Sequence, residues 1–418
     1  MQNQEFKYLK LSERIHLIAY EIDRASSNVK IQYHVGGAWN EQHQDRGKKH
    51  LLEHCIVART KELNHEQVKD WEREKDIFLN AATGSVMMNV TGSTHYSNLM
   101  ETFETLWEMA INPTFSQTDL DREKAIVLRE ISQRRGDPNY KLYFETMKAV
   151  YTADSIDNFE TLGDSEMVAQ TTLEDFYRLN QQNLDLSQMV ITISGQGIDL
   201  EQIKSLAGQL DNKEKPLELD FSPKSELNKF QYLPFVHEFA HEHAEATFII
   251  PVPFNFENRE VRAIISNLIF SNHGLLYERL REEKQLVYSM SHYFEQQPAV
   301  LGIELRSEVK YLDQIKHEIL DILSNYEGYL SEQKFEQFKR IYLMREEIQA
   351  DAPGFVTSFT KNALITYNKY DEFKDFSNRV QATTFDQVKK YLAILKNNLS
   401  EMQILVVSKD KSIESLKL

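Results

Sequence analysis

The chain has few of the features that mark secreted or membrane proteins. It contains a single cysteine, Cys55, among 418 residues. An internal disulfide is therefore impossible, which fits a reducing compartment. No apolar run approaches the roughly 20 residues that span a bilayer. The first residues also lack the apolar core of a signal peptide. We therefore expect a cytoplasmic protein that is not associated with a membrane.

Positive charge is also scarce. Lysine and arginine number 48 against 64 acidic residues, and the formal net charge is −16. We expect no nucleic-acid partner, because binding phosphates requires clustered cations. Negative charge that lines a cavity would favour cationic ligands, but a negative surface that keeps the protein in solution explains the same composition. The chain does have 41% hydrophobic and 11% aromatic residues, enough for folded cores.

The order of predicted elements suggests two similar halves. Alternating residues in 14–36 predict strands, and a helix is expected from about 47 to 58. Strands in 78–94 and a long helical tract from 96 to 151 follow, broken near Pro113 and Pro138. Helix 172–182, strand 188–194 and helix 199–210 complete the first half. The second half repeats this order, with a last strand at 402–408.

The two halves also resemble each other in sequence. TTLEDFYRLNQQNLDLSQMVITIS (171–194) parallels TTFDQVKKYLAILKNNLSEMQILVVS (383–408), and 115–131 parallels 330–346 more weakly. We predict an α+β protein of two homologous domains, each a mostly antiparallel sheet packed with helices, related by internal duplication. The domains are expected at 1–212 and 235–418. The charged segment 213–234, which contains Pro216 and Pro223, is the expected linker.

Residues 50–54, His-Leu-Leu-Glu-His, carry the strongest chemical signal. On a helix, His50 and His54 lie on one face and can share a metal ion. Glu53 lies beside them, close enough to take a proton from a water on that metal. A catalytic zinc needs a third protein ligand, and we predict Glu130. Glu123, two turns earlier on the same helix face, is expected to hold a ligand in place.

These spacings resemble the pitrilysin-type inverzincin metallopeptidases, the group that includes insulin-degrading enzyme and mitochondrial processing peptidase. Their inverted H-x-x-E-H motif is followed by a glutamate ligand at the distance that separates His54 from Glu130, which is 130 − 54 = 76 residues. They also carry a glutamate seven residues before that ligand, matching Glu123. The likeness covers essentially the whole chain, as a short two-domain member. The usual His-Pro is missing from 151–159, although Leu162 and Gly163 match.

The resemblance implies further site residues. FLNAAT (78–83) is similar to the substrate-binding strand of the family, through Asn80 and Ala81. LREEKQLVYS (280–289) is similar to the second domain's Arg–Tyr pair, here Arg281 and Tyr288. Both would bind the substrate and favour the oxyanion that develops beside zinc. Peptides would enter a clamshell-like chamber and pair with an edge strand.

The expected activity is zinc-dependent endopeptidase cleavage of unfolded peptides or short proteins, with Glu53 as general base. On the weaker parallel, Phe338 and Arg345 replace Glu123 and Glu130 in the second half, so we expect one zinc per chain. In four-domain relatives the zinc and the Arg–Tyr pair lie in the first and fourth domains. We therefore expect a homodimer, or a heterodimer with a related subunit, completed in trans. A non-catalytic scaffold of the same fold is the alternative.

A second motif, His237-Glu-Phe-Ala-His241, matches the commoner H-E-x-x-H zinc signature. It lies between Pro234 and an alternating run that predicts a strand. On a strand, residues four apart are separated by about 13 Å and cannot share one ion. We therefore do not expect a metal site at 237–241.

Overall fold

Within the described residues, the first half of the chain contains six strands and eight α-helices. The computed structural model describes residues 5–33, 37–186, 188–210, 224–352 and 354–418. The strands are β1 (Glu5–Lys10), β2 (Ile15–Glu21), β3 (Ser26–Tyr33), β4 (Phe78–Thr83), β5 (Met88–His95) and β6 (Met189–Gly195). The helices are α1 (Lys48–Ile56), α2 (His65–Lys75), α3 (Leu99–Ile111), α4 (Gln117–Gly136), α5 (Pro138–Val150), α6 (Ser165–Ala169), α7 (Leu173–Leu186) and α8 (Leu200–Gly208).

The second half repeats much of this order. Its strands are β7 (Tyr232–Val236), β8 (Ala244–Pro251), β9 (Ser289–Gln296), β10 (Ala299–Ser307) and β11 (Gln403–Ser408). Its helices are α9 (Arg259–Ile265), α10 (Leu275–Tyr277), α11 (Leu312–Ser324), α12 (Tyr326–Tyr329), α13 (Glu332–Ala350), α14 (Phe355–Tyr367), α15 (Phe373–Ala382) and α16 (Phe385–Asn398). Two π-helical turns, Ser266–Phe270 and Glu278–Glu283, continue α9 and α10.

The first sheet has the strand order β1-β2-β6-β3-β5-β4. Its neighbours are antiparallel except β2 and β6, which are parallel. The three central strands send Leu17, Val29, Ile31, Ile191 and Ile193 to one face, where they are fully buried. Strand β4 pairs only with β5 among the described strands. It therefore forms an edge of the sheet, with no further described strand paired to it, and its Leu79 N–H donates to the Glu72 carboxylate at 3.0 Å.

The second sheet has the strand order β7-β11-β8-β10-β9. It is antiparallel except between β7 and β11. Both halves thus carry a mostly antiparallel sheet with helices, which confirms the predicted α+β class and the duplication. Within the described residues, no helix is both long enough and apolar enough to cross a bilayer.

The two compact units of the structure are not continuous segments. One comprises the described residues of Met1–Gly136, Phe159–Pro223 and Ala350–Tyr370, and the other holds the remainder. Helix α14 from the second half packs on β2 and β6 of the first sheet. Helix α5 from the first half contributes Leu142 and Val150 to the core around the second sheet. Division at residues 212 and 235 therefore assigns these two equivalent helices to the wrong units.

Two strands were absent from the sequence prediction. Strand β1 precedes the predicted strand region, and β7 begins at Tyr232, inside the expected linker 213–234. Residues 213–223 of that linker lie outside the described residues. Leu227 also forms a bridge with Tyr151, so the described end of the linker is tied to the second unit. Both missed strands are short edge strands, where the hydrophobic pattern is weak.

Candidate metal centre

Helix α1 carries the two predicted histidine ligands. His50 and His54 lie one turn apart, while Leu51, Leu52 and Cys55 are buried in the core. The apolar residues thus fix which face of α1 the imidazoles occupy. Burial raises the pKa of the Cys55 thiol, which suits packing rather than metal binding.

Glu130 of α4 approaches both histidines. Its Oε2 atom lies 3.7 Å from His50 Nε2 and 3.8 Å from His54 Nε2. One ligand atom from each of the three residues lies within 4.8 Å of the other two. Among the described residues, these three side chains are the one group of three or more His, Cys, Asp or Glu residues with this geometry.

This donor set fits a zinc ion. Ligand atoms about 2.1 Å from a tetrahedral zinc are separated by about 3.4 Å, close to the spacing found here. Two imidazole nitrogens and one carboxylate oxygen are common ligands of catalytic zinc, which keeps a further position open. His50, His54 and Glu130 can therefore hold such an ion after small side-chain movements.

Glu123 holds His54 in the required orientation. Its Oε2 atom lies 3.2 Å from His54 Nδ1, and Arg122 Nε donates to its Oε1 at 2.9 Å. Burial opposes ionisation of Glu123, but the bonds to His54 and Arg122 outweigh it and lower the pKa. An ionised Glu123 can only accept, so Nδ1 of His54 carries the proton and Nε2 remains available as a ligand atom.

The two histidines respond differently to their surroundings. Burial lowers the pKa of His50, and the charge on His54 lowers it further. Burial also disfavours charged His54, but its bond to Glu123 and the neighbouring carboxylates outweigh that cost and raise its pKa. The neutral form of His50 is the form that binds metal.

Glu53 lies on α1 between the two histidines in sequence and is partly exposed. Burial raises its pKa, whereas Thr83 and His54 act in the opposite direction. The hydroxyl and the backbone N–H of Thr83 both favour the Glu53 carboxylate. Thr83 ends strand β4, so the expected substrate strand also supplies the group that steadies Glu53.

Two backbone features fix the start of α1. The Glu41 carboxylate accepts the N–H groups of Gly47 at 2.9 Å and Lys49 at 2.7 Å, which otherwise lack partners in the first helical turn. Gly47 has φ +90° and Gly163 has φ +78°. A Cβ on Gly163 would lie 2.1 Å from the Gly47 Cα, so two glycines permit this close approach.

The remaining predicted substrate residues lie on both units. Asn80 is exposed on β4, while the Ala81 side chain is buried, which leaves the Ala81 backbone for contact. In the second unit, Arg281 Nη1 donates to the Val287 carbonyl at 2.6 Å. Tyr288 follows, 47% exposed, with its hydroxyl 3.3 Å from Glu308.

The second histidine motif lies in a turn and not in a strand. Residues 237–243 connect β7 to β8, and the Ala240 N–H donates to the His237 carbonyl at 3.1 Å. His237 Nε2 lies 3.0 Å from Glu145, and His241 Nε2 lies 3.5 Å from Glu245. The strand interpretation was therefore wrong, although the two histidines do contact different partners.

Two protein-family models together match most of the chain. Residues 17–157 match the family model described as Insulinase (Peptidase family M16), and residues 170–342 match the Peptidase M16 inactive domain. The chain belongs to the M16 peptidase family. All three candidate ligands of this M16 chain, and Glu53, fall within the first match. In the second half, Arg345 lies opposite Glu130 in the sequence parallel, and its Nη1 donates to Asn267 at 3.0 Å.

Individual relatives are distant. An uncharacterized zinc protease of Rickettsia felis is 21% identical over 301 residues, which cover 69% of this chain and 70% of that protein. The uncharacterized zinc protease YmfH of Bacillus subtilis is 23% identical over 167 residues, covering 39% of this chain and 36% of that protein. Such relatives support a peptidase-family enzyme that uses zinc.

Solved structures share the fold. A protease from Helicobacter pylori superposes with a TM-score of 0.75 at 15% identity, covering 97% of this chain and 100% of that chain. A peptidase M16 inactive domain from Pseudomonas fluorescens gives 0.74 at 14% identity, covering 97% and 98%.

Sequence reasoning missed three supporting residues. Thr83 lies within the quoted FLNAAT strand, but its contact with Glu53 depends on how α1 packs against β4. Arg122 adjoins Glu123 in sequence, which was the available signal. Nothing in the local pattern around Glu41 indicated that it caps α1.

Proposed function

We propose that this M16 chain is a zinc-dependent endopeptidase that cleaves unfolded peptides or short proteins. The observation that carries the proposal is the convergence of His50, His54 and Glu130 beside Glu53. We further propose one zinc ion per chain, since the described residues contain a single ligand set of this kind.

Each polar residue of the centre has a role in the proposed reaction. Zinc held by His50, His54 and Glu130 would lower the pKa of a water molecule and polarise the scissile carbonyl. Glu53 accepts the proton from the attacking water and passes it to the leaving amine. Burial raises the pKa of Glu53, which makes it a stronger base for the first transfer. Glu123 keeps His54 oriented.

The edge strand β4 offers a simple way to bind many sequences. A peptide in extended conformation can pair with backbone groups at this edge, such as those of Ala81, so that recognition depends on extension more than on side chains. Asn80 and the backbone of Ala81 are the proposed contacts, and Thr83 lies three residues beyond Asn80 beside the base. This arrangement would align a bound peptide with Glu53.

We also propose that Arg281 and Tyr288 act on the metal centre of a second copy of the chain. This chain carries both the metal ligands and the Arg–Tyr pair, and a two-fold dimer would create two equivalent complete sites. The partial exposure of Tyr288 is consistent with a role in binding. The alternative is a heterodimer, in which a related subunit takes the place of the second copy.

A non-catalytic subunit is the second candidate. It is favoured by the match of 170–342 to a domain described as inactive. That match excludes every candidate ligand, which argues that it describes the second half and not the whole chain.

Mass spectrometry of a peptide library separates the two candidates. The zinc-loaded protein should generate new peptide ends, whereas His50→Ala and Glu130→Ala, which lack a ligand, should bind less zinc and generate few. Folded, zinc-loaded wild-type protein that leaves every peptide intact would favour the non-catalytic subunit.

A further inference from the structure

One face of the first sheet carries a polar row that runs to the edge strand. Lys30 on β3 is directly opposite Thr192 on β6 and Thr91 on β5. Thr91 in turn is opposite Asn80 on β4. Directly opposed residues project from the same face of a sheet. The row therefore reads Thr192, Lys30, Thr91, Asn80.

Exposure increases along this row. Thr192 is buried, Lys30 and Thr91 are half-buried, and Asn80 is exposed. Thr91 Oγ1 donates to the backbone oxygen of Asn80 at 3.3 Å. The row is thus covered near β6 and open near β4, the strand along which a peptide is proposed to bind.

Helix α14 covers the closed end and brings a second lysine. Lys361 is only 9% exposed, and its Nζ donates to the Gln32 side chain at 3.2 Å. Gln32 follows Lys30 by two residues on β3, so it projects from the same face. The Gln32 amide is oriented by Met87, because its Nε2 donates to the Met87 sulfur at 2.8 Å.

These two lysines lack a compensating carboxylate. Within the described residues, Lys361 has Gln32 as its one hydrogen-bond partner, and Lys30 forms no ion pair. Burial lowers the pKa of Lys30, and burial together with the charge of Lys30 lowers the pKa of Lys361 to about 8. A buried ammonium normally has an acidic partner, because desolvation of an unpaired charge is costly.

Two buried hydroxyls on the elements that carry or adjoin these lysines lack hydrogen-bond partners. The Thr360 hydroxyl, next to Lys361 in α14, is buried without a hydrogen-bond partner. The Ser194 hydroxyl on β6 is also buried without a hydrogen-bond partner. Ser194 is opposite Asn28, so it projects from the face of the sheet that carries Lys30. Among the described residues, Lys30, Lys361 and the Ser194 hydroxyl therefore lie at this face without an anionic acceptor.

We propose that Lys30 and Lys361 form a subsite for a carboxylate of the bound peptide, either an acidic side chain or the C-terminal group. The subsite rests on the proposed function, because its ligand is the peptide that pairs with β4. It would select for acidic groups at one position, although the net charge of −16 disfavours acidic peptides in general.

Matched peptides test the subsite. Quenched peptides carry Glu or Gln at each successive position, with a C-terminal carboxylate or amide. We expect wild type to prefer the carboxylate at one position by about tenfold in kcat/KM, the effect of a charge-assisted hydrogen bond. Lys30→Met and Lys361→Met should reduce that ratio to about one while leaving the uncharged peptide unaffected. Lys7→Met, which removes an exposed lysine paired with Glu5, should keep the full preference.

Binding separates failure of the subsite from failure of catalysis. Anisotropy with Glu53→Gln protein measures affinity for the same peptides without turnover. Tighter binding of the carboxylate peptide that is lost in Lys30→Met supports the subsite even if wild type cleaves nothing. Because Lys361 is buried and its substitution also tests packing, the half-buried Lys30 provides the decisive substitution.

Three results would overturn the proposal. They are equal affinity for carboxylate and uncharged peptides, a preference that survives in folded Lys30→Met protein, and absence of peptide binding. Acetate tests whether the two lysines bind free small anions. If acetate stabilises the wild type against heat while peptides show no carboxylate preference, the lysines bind free small anions and the peptide assignment is wrong.

Discussion

The pKa values of two carboxylates near His54 are shifted in opposite directions. Burial raises the pKa of Glu53. Burial would also raise the pKa of Glu123, but the hydrogen bonds with His54 and Arg122 outweigh burial and lower this pKa. Glu123 therefore remains charged and holds His54, whereas Glu53 can exchange a proton. The difference comes from Arg122 and from hydrogen bonding, since both groups are carboxylates on neighbouring helices.

Thr83 should affect turnover more than substrate binding. Thr83→Val removes a hydroxyl that stabilises the ionised, proton-accepting form of Glu53 and helps to orient it, so we expect kcat to fall by about tenfold with little change in KM. Thr83→Ser keeps the hydroxyl and serves as the matched control, so it should retain most of the rate. Zinc content should be unchanged in both. A larger effect on KM than on kcat would indicate that Thr83 acts mainly through strand β4.

Asp175 should make stability depend on pH in the acid range. Burial would raise its pKa, but Arg178, the Thr172 N–H and Lys48 outweigh burial and lower the pKa from 3.8 to about 2. The folded protein therefore binds this proton less tightly than the unfolded chain. The stabilisation is present above about pH 4 and is lost as the pH falls toward 2.

Urea unfolding between pH 5 and pH 3 measures this contribution. Asp175→Asn should give a free energy of unfolding that falls less steeply with decreasing pH than that of the wild type. Asp70→Asn, which alters an exposed pair with Arg73, is the control and should follow the wild-type slope. An unchanged slope in Asp175→Asn would exclude a major role for this ion pair.

At the scale of elements, the centre depends on how α1 begins. Its first turn is capped by Glu41, and Gly47 lies against Gly163. His50 follows Gly47 by three residues, so a displacement of the first turn moves a metal ligand directly. The glycine contact is thus connected to zinc affinity through one helical turn.

Gly163→Ala should weaken both folding and zinc binding. Its Cβ would meet the backbone of Gly47, and its φ is unfavourable for alanine, so we expect a loss of about 2 kcal/mol in unfolding free energy. Zinc affinity should fall by about tenfold, as when support for a ligand is disturbed. Gly208→Ala in α8, where a Cβ meets no atom within 4 Å, is the control. Wild-type zinc affinity in Gly163→Ala would show that α1 tolerates the shift.

Elements with strong local signals were predictable, and contacts between distant segments were not. The breaks at Pro113 and Pro138 divided the helical tract into α3, α4 and α5, as the structure has it. The proximity of Glu130 to His50 was predicted with the support of the family resemblance, because no local sequence pattern relates α1 to α4. The bond from Lys361 to Gln32 joins segments that are far apart in sequence and had no sequence signal.

At the scale of the whole chain, the two halves exchange equivalent helices. Helix α14 belongs to the unit of the first sheet, and α5 belongs to the unit of the second. Each unit therefore needs residues from both halves to complete its core. Sequence periodicity could identify α5 and α14 as amphipathic, but it carries no information about which sheet buries them.

A mixing experiment tests completion of the site by a second copy. Glu53→Gln and Arg281→Ala should each be nearly inactive alone. Co-expression with two different affinity tags should yield mixed dimers in which one site has an intact Glu53 and an intact Arg281. With random pairing, about half the dimers are mixed and one site in two is complete, so activity should return to about a quarter of wild type. Purified mixed dimers without activity would refute completion in trans.

The central claim is that Glu53 is the base at a zinc centre built by His50, His54 and Glu130. Measuring metal content and peptide hydrolysis on the same samples of wild type and Glu53→Gln tests it most directly. We predict about one zinc per chain in both proteins. We also predict a fall in kcat of about 10²–10⁴ in the variant, because the attacking water loses its proton acceptor. A zinc-loaded Glu53→Gln protein that cleaves at nearly the wild-type rate would contradict the account.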